Sequence, residues 1–496
     1  MDPSPTLDRP RSGTLTSLFI GLVGGLLAVV ALIAVVARIN GAELKVNGIP
    51  LGLWIAKTND RAVELPLARV GTNAIPQLIE LLRRQRAQTA NRFEAWVWDH
   101  LPRPLQARFW NWRPVSGWQV RRNILWGLKS FGPDAKAALP EIVRVGTSDT
   151  NHMSRAVALV AALTIAPDSA EAFGFWKAEW ERPSYISRRD LAIYLAGIQK
   201  PVPAAVPLLL KEMAANSQGL TTYFEAFEFF GDAATPAIPA MIDAFRKDPS
   251  HRGNLLPVFK RLGPVAAKAT PVIAETLTNR NPDFVATSLE VLTAIGPAAQ
   301  PAIPTIQPLL TNSDSDIQML AAVALGRIEG KPEIALPILI GGLEGRLNGK
   351  PRASVKWDSR YDRHNTVVSG PSVAAMYLGQ LGPAAVEALP NLEAMLTNRS
   401  IYIQIIAAQA VWRISGAKSK ALPTLLSVIE AEARSRAAGE DMGSIFAVEA
   451  IKEMGPAASE AIPVLEPLRF QTIELAHLIP ETLRSLRGQD HAAAGL

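Results

Sequence analysis

Apolar residues recur three or four positions apart along most of this chain, a pattern that predicts helices with one buried face. In residues 316–328, for example, Ile317, Leu320, Ala324 and Ile328 lie on one stripe. Such a stretch ends at a glycine, and a second, shorter apolar stretch follows before the next polar break. The sequence contains no runs of alternating β-branched residues bounded by hairpin turns, so it predicts an all-α protein.

A nine-residue sequence marks the turn between the paired stretches and occurs six times in nearly the same form. It has glycine first, alanine at the fourth and seventh places, and proline last. The copies lie at 132–140, 231–239, 263–271, 296–304, 382–390 and 455–463. Looser copies begin at Gly71, Ala166, Gly197, Gly330 and Gly416. After Gly132 most copies are 31–39 residues apart, a period typical of solenoids built from helix pairs.

Each residue type in this sequence suits a helix–turn–helix unit. The glycine favours a left-handed C-cap that ends the first helix. A proline such as Pro304 opens the second helix, because the first turn of a helix needs no N–H from it. The alanines are small enough for neighbouring turns to approach closely. Asn312 and Asn398, at the ends of second helices, are expected to break one helix and cap the next.

This series of repeated turns resembles HEAT repeats, in particular the alanine-rich and proline-rich variety of the phycobilisome-lyase-type HEAT proteins of bacteria. The likeness covers residues 64–485. It implies a right-handed α-solenoid of about 10–11 HEAT-like helix pairs. HEAT proteins include scaffolds, transport receptors, regulatory subunits and a few enzymes. The resemblance therefore implies a long binding surface for a protein or peptide partner, and it implies no particular chemistry.

Residues 18–37 carry no charge over twenty positions, which is long enough to span a bilayer core. A cleaved signal peptide is the alternative, since 35–37 would suit a cleavage site, but signal peptides have a shorter apolar region. We therefore predict a single transmembrane helix in front of the solenoid. The corresponding location is single-pass in the bacterial inner membrane, with the solenoid on the non-cytoplasmic side.

These patterns divide the chain into five segments. They are a polar tail (1–17), the transmembrane helix (18–37), a juxtamembrane linker (38–63), the solenoid (64–485) and a flexible C-terminal tail (486–496). Two stretches break the period, because 61 residues separate Gly71 from Gly132 and 52 separate Gly330 from Gly382. The sequence therefore predicts insertions near 85–120 and at 344–369.

The first insertion differs chemically from the rest of the chain. Residues 83–122 hold nine arginines, two acids and five of the 11 tryptophans, whereas the whole chain has a net charge of +6. Two interpretations stay open: an N-terminal cap of the array, or a surface for a partner, an anionic lipid surface or another polyanion. A membrane anchor argues against nucleic acid. The candidate residues are Arg92, Trp96, Trp98, Arg103, Arg108, Trp110, Trp112, Arg113 and Trp118.

The second insertion concentrates charged and aromatic side chains of the kinds enriched at binding hot spots. Insertions in solenoids form loops on one face of the array, frequently the binding face. The alternative is a solvated loop that has no partner. The candidate residues are Lys356, Trp357, Arg360, Tyr361 and Arg363.

The sequence lacks the usual motifs of catalysis and cofactor binding. Without cysteine, the chain has no thiolate zinc site and no cysteine nucleophile. None of its six histidines is followed by glutamate, so it lacks the His-Glu dyads of di-iron HEAT enzymes similar to deoxyhypusine hydroxylase. No phosphate-binding glycine loop, HExxH or GxSxG sequence occurs. We predict a non-catalytic scaffold with no cofactor or metal; the alternative is a polyanion, lipid-surface or nucleic-acid binding module that uses residues 83–122.

Overall fold

Helices make up nearly all of the structure, a computed structural model that describes part of the chain. The described residues are 44–46, 48–58, 64–84, 100, 116–182, 186–215, 220–347, 355–356, 367–368, 370–435 and 442–488. The chain divides into two units, Met1–Leu128 and Lys129–Leu496.

The first unit combines a short hairpin with four described helices. Strands β1 (Lys45–Val46) and β2 (Ile49–Pro50) pair antiparallel. The helices are α1 (Leu51–Lys57), α2 (Glu64–Val70), α3 (Ile75–Arg84) and α4 (Gly117–Ser130), which ends just past the boundary.

Buried aliphatic residues from all four helices form the core of this first unit, among them Leu51, Ile55, Leu67, Leu78 and Ile124. A buried amide also ties α4 to α1. The Nδ2 group of Asn123 donates to the carbonyl oxygens of Ile55, at 2.9 Å, and Thr58, at 2.6 Å. These two bonds fix the end of α1 against α4, because leaving either buried carbonyl without a donor would cost free energy.

The second unit is a ladder of helices in two alternating layers. The even-numbered helices precede the turns: α6 (His152–Ile165), α8 (Arg188–Gly197), α10 (Leu220–Phe227), α12 (Arg252–Leu262), α14 (Pro282–Ile295), α16 (Ser315–Glu329), α18 (Pro371–Leu381), α20 (Ile401–Ser415), α22 (Met442–Met454) and α24 (Ile473–Leu486). The odd-numbered helices follow the turns: α5 (Leu139–Ser148), α7 (Ala170–Glu181), α9 (Val206–Ala215), α11 (Ile238–Lys247), α13 (Thr270–Ala274), α15 (Ile303–Ile306), α17 (Leu336–Leu343), α19 (Leu389–Met395), α21 (Lys418–Ser435) and α23 (Ile462–Leu465).

Neighbouring repeats of the second unit contact one another directly. From α8 onward, each even-numbered helix packs against the next even-numbered helix. Apolar side chains between the layers are buried along the whole unit, from Ile142 to Leu483. Burial of this kind is available only to stacked repeats, since one helix pair cannot cover its own apolar side. The predicted all-α, HEAT-like array of helix pairs is confirmed.

The nine-residue turn has the same structure in every close copy. Its first seven residues form a 3₁₀ helix that leads directly into the following odd-numbered helix. The alanines at its fourth and seventh places have no exposed surface: Ala135, Ala138, Ala234, Ala237, Ala266, Ala269, Ala299, Ala302, Ala385, Ala388, Ala458 and Ala461. Side chains larger than a methyl group would have to displace a neighbouring helix, which agrees with the predicted role of these small residues.

The turn glycines have positive φ, but the predicted left-handed cap is wrong for three of the six close copies. Gly263, Gly296 and Gly382 combine positive φ with ψ between −125° and −141°, a mirror-β conformation that glycine adopts readily. The left-handed conformation occurs in two looser copies, at Gly330 and Gly416.

The prediction that Asn312 and Asn398 cap the next helices is wrong in detail, because each bonds to the N-cap residue in front of an even-numbered helix instead. The side chain of Asn312 accepts a hydrogen bond of 2.9 Å from the N–H of Asp314, which in turn caps α16 by accepting from its first N–H groups. Asn398 likewise accepts from the N–H of Ser400, at 2.9 Å, in front of α20. Each of these bonds satisfies a donor that a helix start leaves unpaired.

The predictions of a transmembrane helix in the fold and of a single-pass membrane location are corrected. Among the described residues no helix is both long enough and apolar enough to span a bilayer. The longest of them, α21, has 18 residues and carries five charged side chains, which a bilayer core would exclude. The predicted span itself, residues 18–37, lies outside the described residues.

Short strands are a second departure from prediction. Within the insertion at 344–369, β3 (Val355–Lys356) and β4 (Val367–Val368) pair antiparallel. The sequence predicts no strand here or at β1 and β2. Pairings of two residues are too short to produce the alternation by which strands are recognised.

Candidate binding cleft

Most of the binding residues predicted from the sequence lie outside the described residues. These are Arg92, Trp96, Trp98, Arg103, Arg108, Trp110, Trp112 and Arg113 of the first insertion, and Trp357, Arg360, Tyr361 and Arg363 of the second. Trp118 is half-buried in α4, where the guanidinium of Arg122 lies 5.1 Å from its ring centroid. Lys356 is the second residue of β3. Both surfaces therefore stay predictions.

The described residues contain a different candidate, a cleft on the even-numbered layer of the second unit. It crosses the C-terminal halves of α12, α14, α16 and α18, and its volume is about 790 Å³. Its polar lining includes Lys260 of α12, Glu290 of α14, Arg327 of α16 and Gln380 of α18. The repeat itself creates this cleft, because equivalent segments of successive repeats are stacked along it.

Apolar groups form the rest of the lining. Val323 of α16 and Tyr377 of α18 are almost fully buried and contribute to the floor. Pro297, Pro332 and Met376 lie at its partly or fully exposed edges. An apolar floor with a few charged groups at the rim is typical of a binding site and gives a bound chain both packing area and orientation.

Gly326 lies against the backbone of the turn that follows α16. A Cβ atom at this position would lie 3.1 Å from the carbonyl oxygen of Lys331. A larger residue would therefore press on this turn, which lines the cleft through Gly330 and Pro332.

A repeated charge pattern runs along the same layer. The residue three places before the turn glycine is basic in five repeats, at Lys129, Lys260, Arg327, Arg413 and Lys452. Three of these cations form ion pairs with an acid of the next even-numbered helix. The pairs are Lys260 with Glu290 at 3.2 Å, Arg413 with Glu453 at 2.5 Å, and Lys452 with Glu481 at 2.6 Å.

Arg327 differs from these three cations. The next even-numbered helix, α18, has no acidic residue and presents Met376, Tyr377 and Gln380 to the cleft. Across the described parts of the chain, Arg327 has neither a hydrogen bond nor an ion pair, and its side chain is exposed. The cleft therefore contains a cation that is available to a ligand, whereas its acid, Glu290, already binds Lys260.

The ends of the second insertion are attached close to this part of the ladder. At its start, the side chain of Asn391 donates to Glu344 at 3.0 Å, and this bond, followed by that from Arg346, lowers the pKa of Glu344 below its usual value. At its end, the N–H of Gly370 donates to the buried carboxylate of Asp316, at 3.2 Å. The insertion thus leaves from α17 and returns directly into α18, a helix that lines the cleft.

The arrangement suits binding better than reaction chemistry. The described residues contain no group of three or more His, Asp or Glu side chains that could hold a metal ion. In the cleft, the one carboxylate is engaged with a lysine, and the lining holds no histidine. The other polar groups of the lining include Arg327, Gln380 and Thr293.

No protein-family model and no curated protein matches the chain. Among solved structures, an engineered protein matches with 14% identity over 88% of this chain and 98% of its own, with a TM-score of 0.27. Kap121p bound to Pho4p matches with 13% identity and a TM-score of 0.28. The karyopherin Kap121p bound to the extreme C-terminus of the protein phosphatase Cdc14p matches with 14% identity and a TM-score of 0.30.

Both Kap121p matches cover 89% of this chain and 52% of the other, so the chain spans about half the length of those karyopherins. None of these matches identifies a family for the chain. The phycobilisome-lyase type in particular stays a resemblance carried by the repeated turns.

The sequence does not predict the cleft, because its residues come from four helices spread over more than a hundred positions. One signal was nevertheless present. Aligning the turns places Arg327 in register with Lys260, Arg413 and Lys452, and shows that the even-numbered helix after Arg327, unlike those after these three, contains no acid.

Proposed function

We propose that the protein is a non-catalytic scaffold that binds an extended segment of a partner protein in the cleft across α12, α14, α16 and α18. One observation carries this proposal: four consecutive repeats place an apolar floor and a rim of charges along one continuous depression. Binding sites on repeat arrays form in this way, since stacked units make an extended surface without special loops.

The dimensions suit a short peptide segment. Neighbouring packed helices lie about 8–10 Å apart, so four of them extend over roughly 25–30 Å. An extended chain advances about 3.3 Å per residue, so the cleft accommodates about eight or nine residues. Helices hold the cleft residues in place, which lowers the ordering cost of binding on the side of the scaffold.

The second insertion fits the same proposal. Its candidate residues Lys356, Trp357, Arg360, Tyr361 and Arg363 belong to the segment that runs directly into α18. We include them as a second contact surface for the same partner. Aromatic and arginine side chains are the types that most often dominate the binding energy of an interface.

Filling the cleft should abolish peptide binding. A random peptide library displayed on phage is selected against the immobilised full chain, and the recovered peptides are measured for affinity. Gln380→Trp places a large ring in the cleft from an exposed helix position, and we expect at least about tenfold weaker binding.

The matched control is Gln307→Trp, the same change at an exposed glutamine of the other layer. It should leave the affinities unchanged. Failure to recover any peptide above background, or recovered peptides that bind the Gln380→Trp variant as well as the parent chain, would refute the proposed function.

A further inference from the structure

In the repeated charge pattern of the even-numbered layer, Arg327 has no acid opposite it on the next helix. This difference indicates which chemical group the ligand carries. In three repeats a cation at the position of Arg327 is neutralised by an acid of the following helix. These acids are Glu290, Glu453 and Glu481, of which Glu290 and Glu481 are partly buried and Glu453 is exposed. The seam between repeats is therefore built to place a carboxylate beside this cation.

At the seam between α16 and α18 the scaffold provides the cation without the carboxylate. The helix α18, Pro371–Leu381, reads PSVAAMYLGQL and holds no acid at any position. The space where an acid would stand is part of the cleft, bounded by Met376, Tyr377 and Gln380. These two helices also touch only sparsely compared with the other neighbouring pairs of even-numbered helices from α8 onward.

We propose that the bound segment supplies this carboxylate itself, through an aspartate or glutamate side chain that pairs with Arg327. The inference rests on the proposed function and adds the chemistry of the ligand. A guanidinium binds a carboxylate through two parallel N–H donors, as Arg413 does with Glu453 through bonds of 2.5 and 2.8 Å. In the complex, the acid of the ligand pairs with Arg327. It takes the place of the acid that the chain itself provides for Lys260, Arg413 and Lys452.

The neighbours of Arg327 define the rest of the motif. Met376, Pro332 and Val323 line the same cleft as Arg327 and give it an apolar surface. Side chains next to the acid in the ligand are therefore apolar, because they contact this surface. The acid must be internal and not the terminal carboxylate, because the lining continues past Arg327 towards Lys260 on one side and Gln380 on the other. The occupant is an extended segment in which an acid is flanked by apolar residues.

The state of Glu290 is a further reason to expect a single acidic position in the ligand. It lies in the same cleft but is neutralised by Lys260, so it neither attracts a basic ligand group nor competes for Arg327 within hydrogen-bonding distance. A ligand that placed an additional acid near Glu290 would meet a neutral pair. We therefore expect one enriched acidic position and not an acidic stretch.

The test compares peptides selected by the parent chain with those selected by Arg327→Glu. The parent should enrich one aspartate or glutamate between apolar residues, and each such peptide should bind Arg327→Glu about tenfold to a hundredfold more weakly. Selection against Arg327→Glu should enrich lysine or arginine at the same position. Arg280→Glu, at an exposed arginine away from the cleft, is the control and should change neither result.

Two outcomes separate the inference from the proposed function. Peptides that bind the cleft without an enriched acid, or that bind Arg327→Glu unchanged while losing affinity for Gln380→Trp, would overturn the pairing and leave the cleft as a binding site. Terminal carboxylates in place of internal acids among the enriched peptides would also overturn it. Loss of all selection by the parent chain would refute the cleft itself.

Discussion

Replacing Glu179 with alanine should lower the free energy of unfolding by about 3–5 kcal/mol, since it removes one partner of a buried ion pair. Glu179, in α7, is only 2% exposed. Its carboxylate pairs with Arg155 of α6 and, at 3.3 Å, with Arg182 just beyond α7. The side chain of Arg155 is also largely buried, so the variant would leave a cation shielded from water and without its carboxylate.

The surroundings of Glu179 make relaxation difficult. Trp176, which is fully buried, packs against Trp180 in a tilted arrangement with ring centroids 4.9 Å apart, and its indole N–H donates to the carbonyl oxygen of Leu191 at 3.2 Å. These rings hold α7 between α6 and α8. Because the side chain of Arg155 is only 12% exposed, we place the cost in the upper range for ion pairs.

Urea denaturation followed by circular dichroism measures this change, and amide hydrogen exchange locates it to α6 and α7. The matched control is Glu181→Ala, two residues away, where an exposed carboxylate lies 3.8 Å from Lys177. Surface pairs contribute less than about 1 kcal/mol, so the control should unfold almost as the parent does. Equal effects of the two variants would show that burial of Glu179 does not matter for stability.

The second large effect is expected for Gly379→Val, which should destabilise the chain by about 1–3 kcal/mol through overpacking. A Cβ atom at Gly379 would lie 2.9 Å from the Cα and 3.1 Å from the Cβ of Ala410. The first atom belongs to the backbone of α20, so the clash cannot be relieved by turning a side chain. Helices α18 and α20 would have to move apart along their whole contact.

Gly174→Val separates this packing effect from helix propensity. Gly174 lies inside α7 with no atom within 4 Å of a Cβ atom built on it, so the same change there meets open space. Valine favours a helix slightly more than glycine does, and the control should therefore be neutral or slightly stabilising. If Gly379→Val unfolds at the same urea concentration as this control, the close approach of α18 and α20 is wrong.

The close copies of the turn show which parts of the fold are predictable from sequence. Glycine, alanine and proline at fixed places predict the local structure of the turn. Ala299 and Ala302, for example, are buried as predicted, and so are the ten equivalent alanines. This prediction concerns the sign of φ and the size of the side chain. The residue types do not specify ψ, and for this reason Gly296 has the mirror-β conformation and not the predicted left-handed cap.

The candidate site illustrates the opposite case. Local composition favours the clusters of tryptophan and arginine, such as Trp110 and Arg360, as candidate sites, because these residue types are concentrated in short stretches of the sequence. The cleft contains ordinary residues whose importance depends on stacking, since Arg327 and Met376 are 49 positions apart. The sequence does not predict the ion pair of Glu179 for the same reason, since its partner Arg155 lies in a different helix.

The most direct test of the account is a proximity reaction in the cleft. The chain has no natural cysteine, so Gln380→Cys and Gln307→Cys each introduce a single thiol, in the cleft and on the other layer respectively. Selected peptides carrying a bromoacetyl group at either end are then added to each variant. We predict faster alkylation at position 380 than at 307, and slowing at 380 by excess unmodified peptide. Equal rates at the two positions, unaffected by competitor, would contradict binding in the cleft.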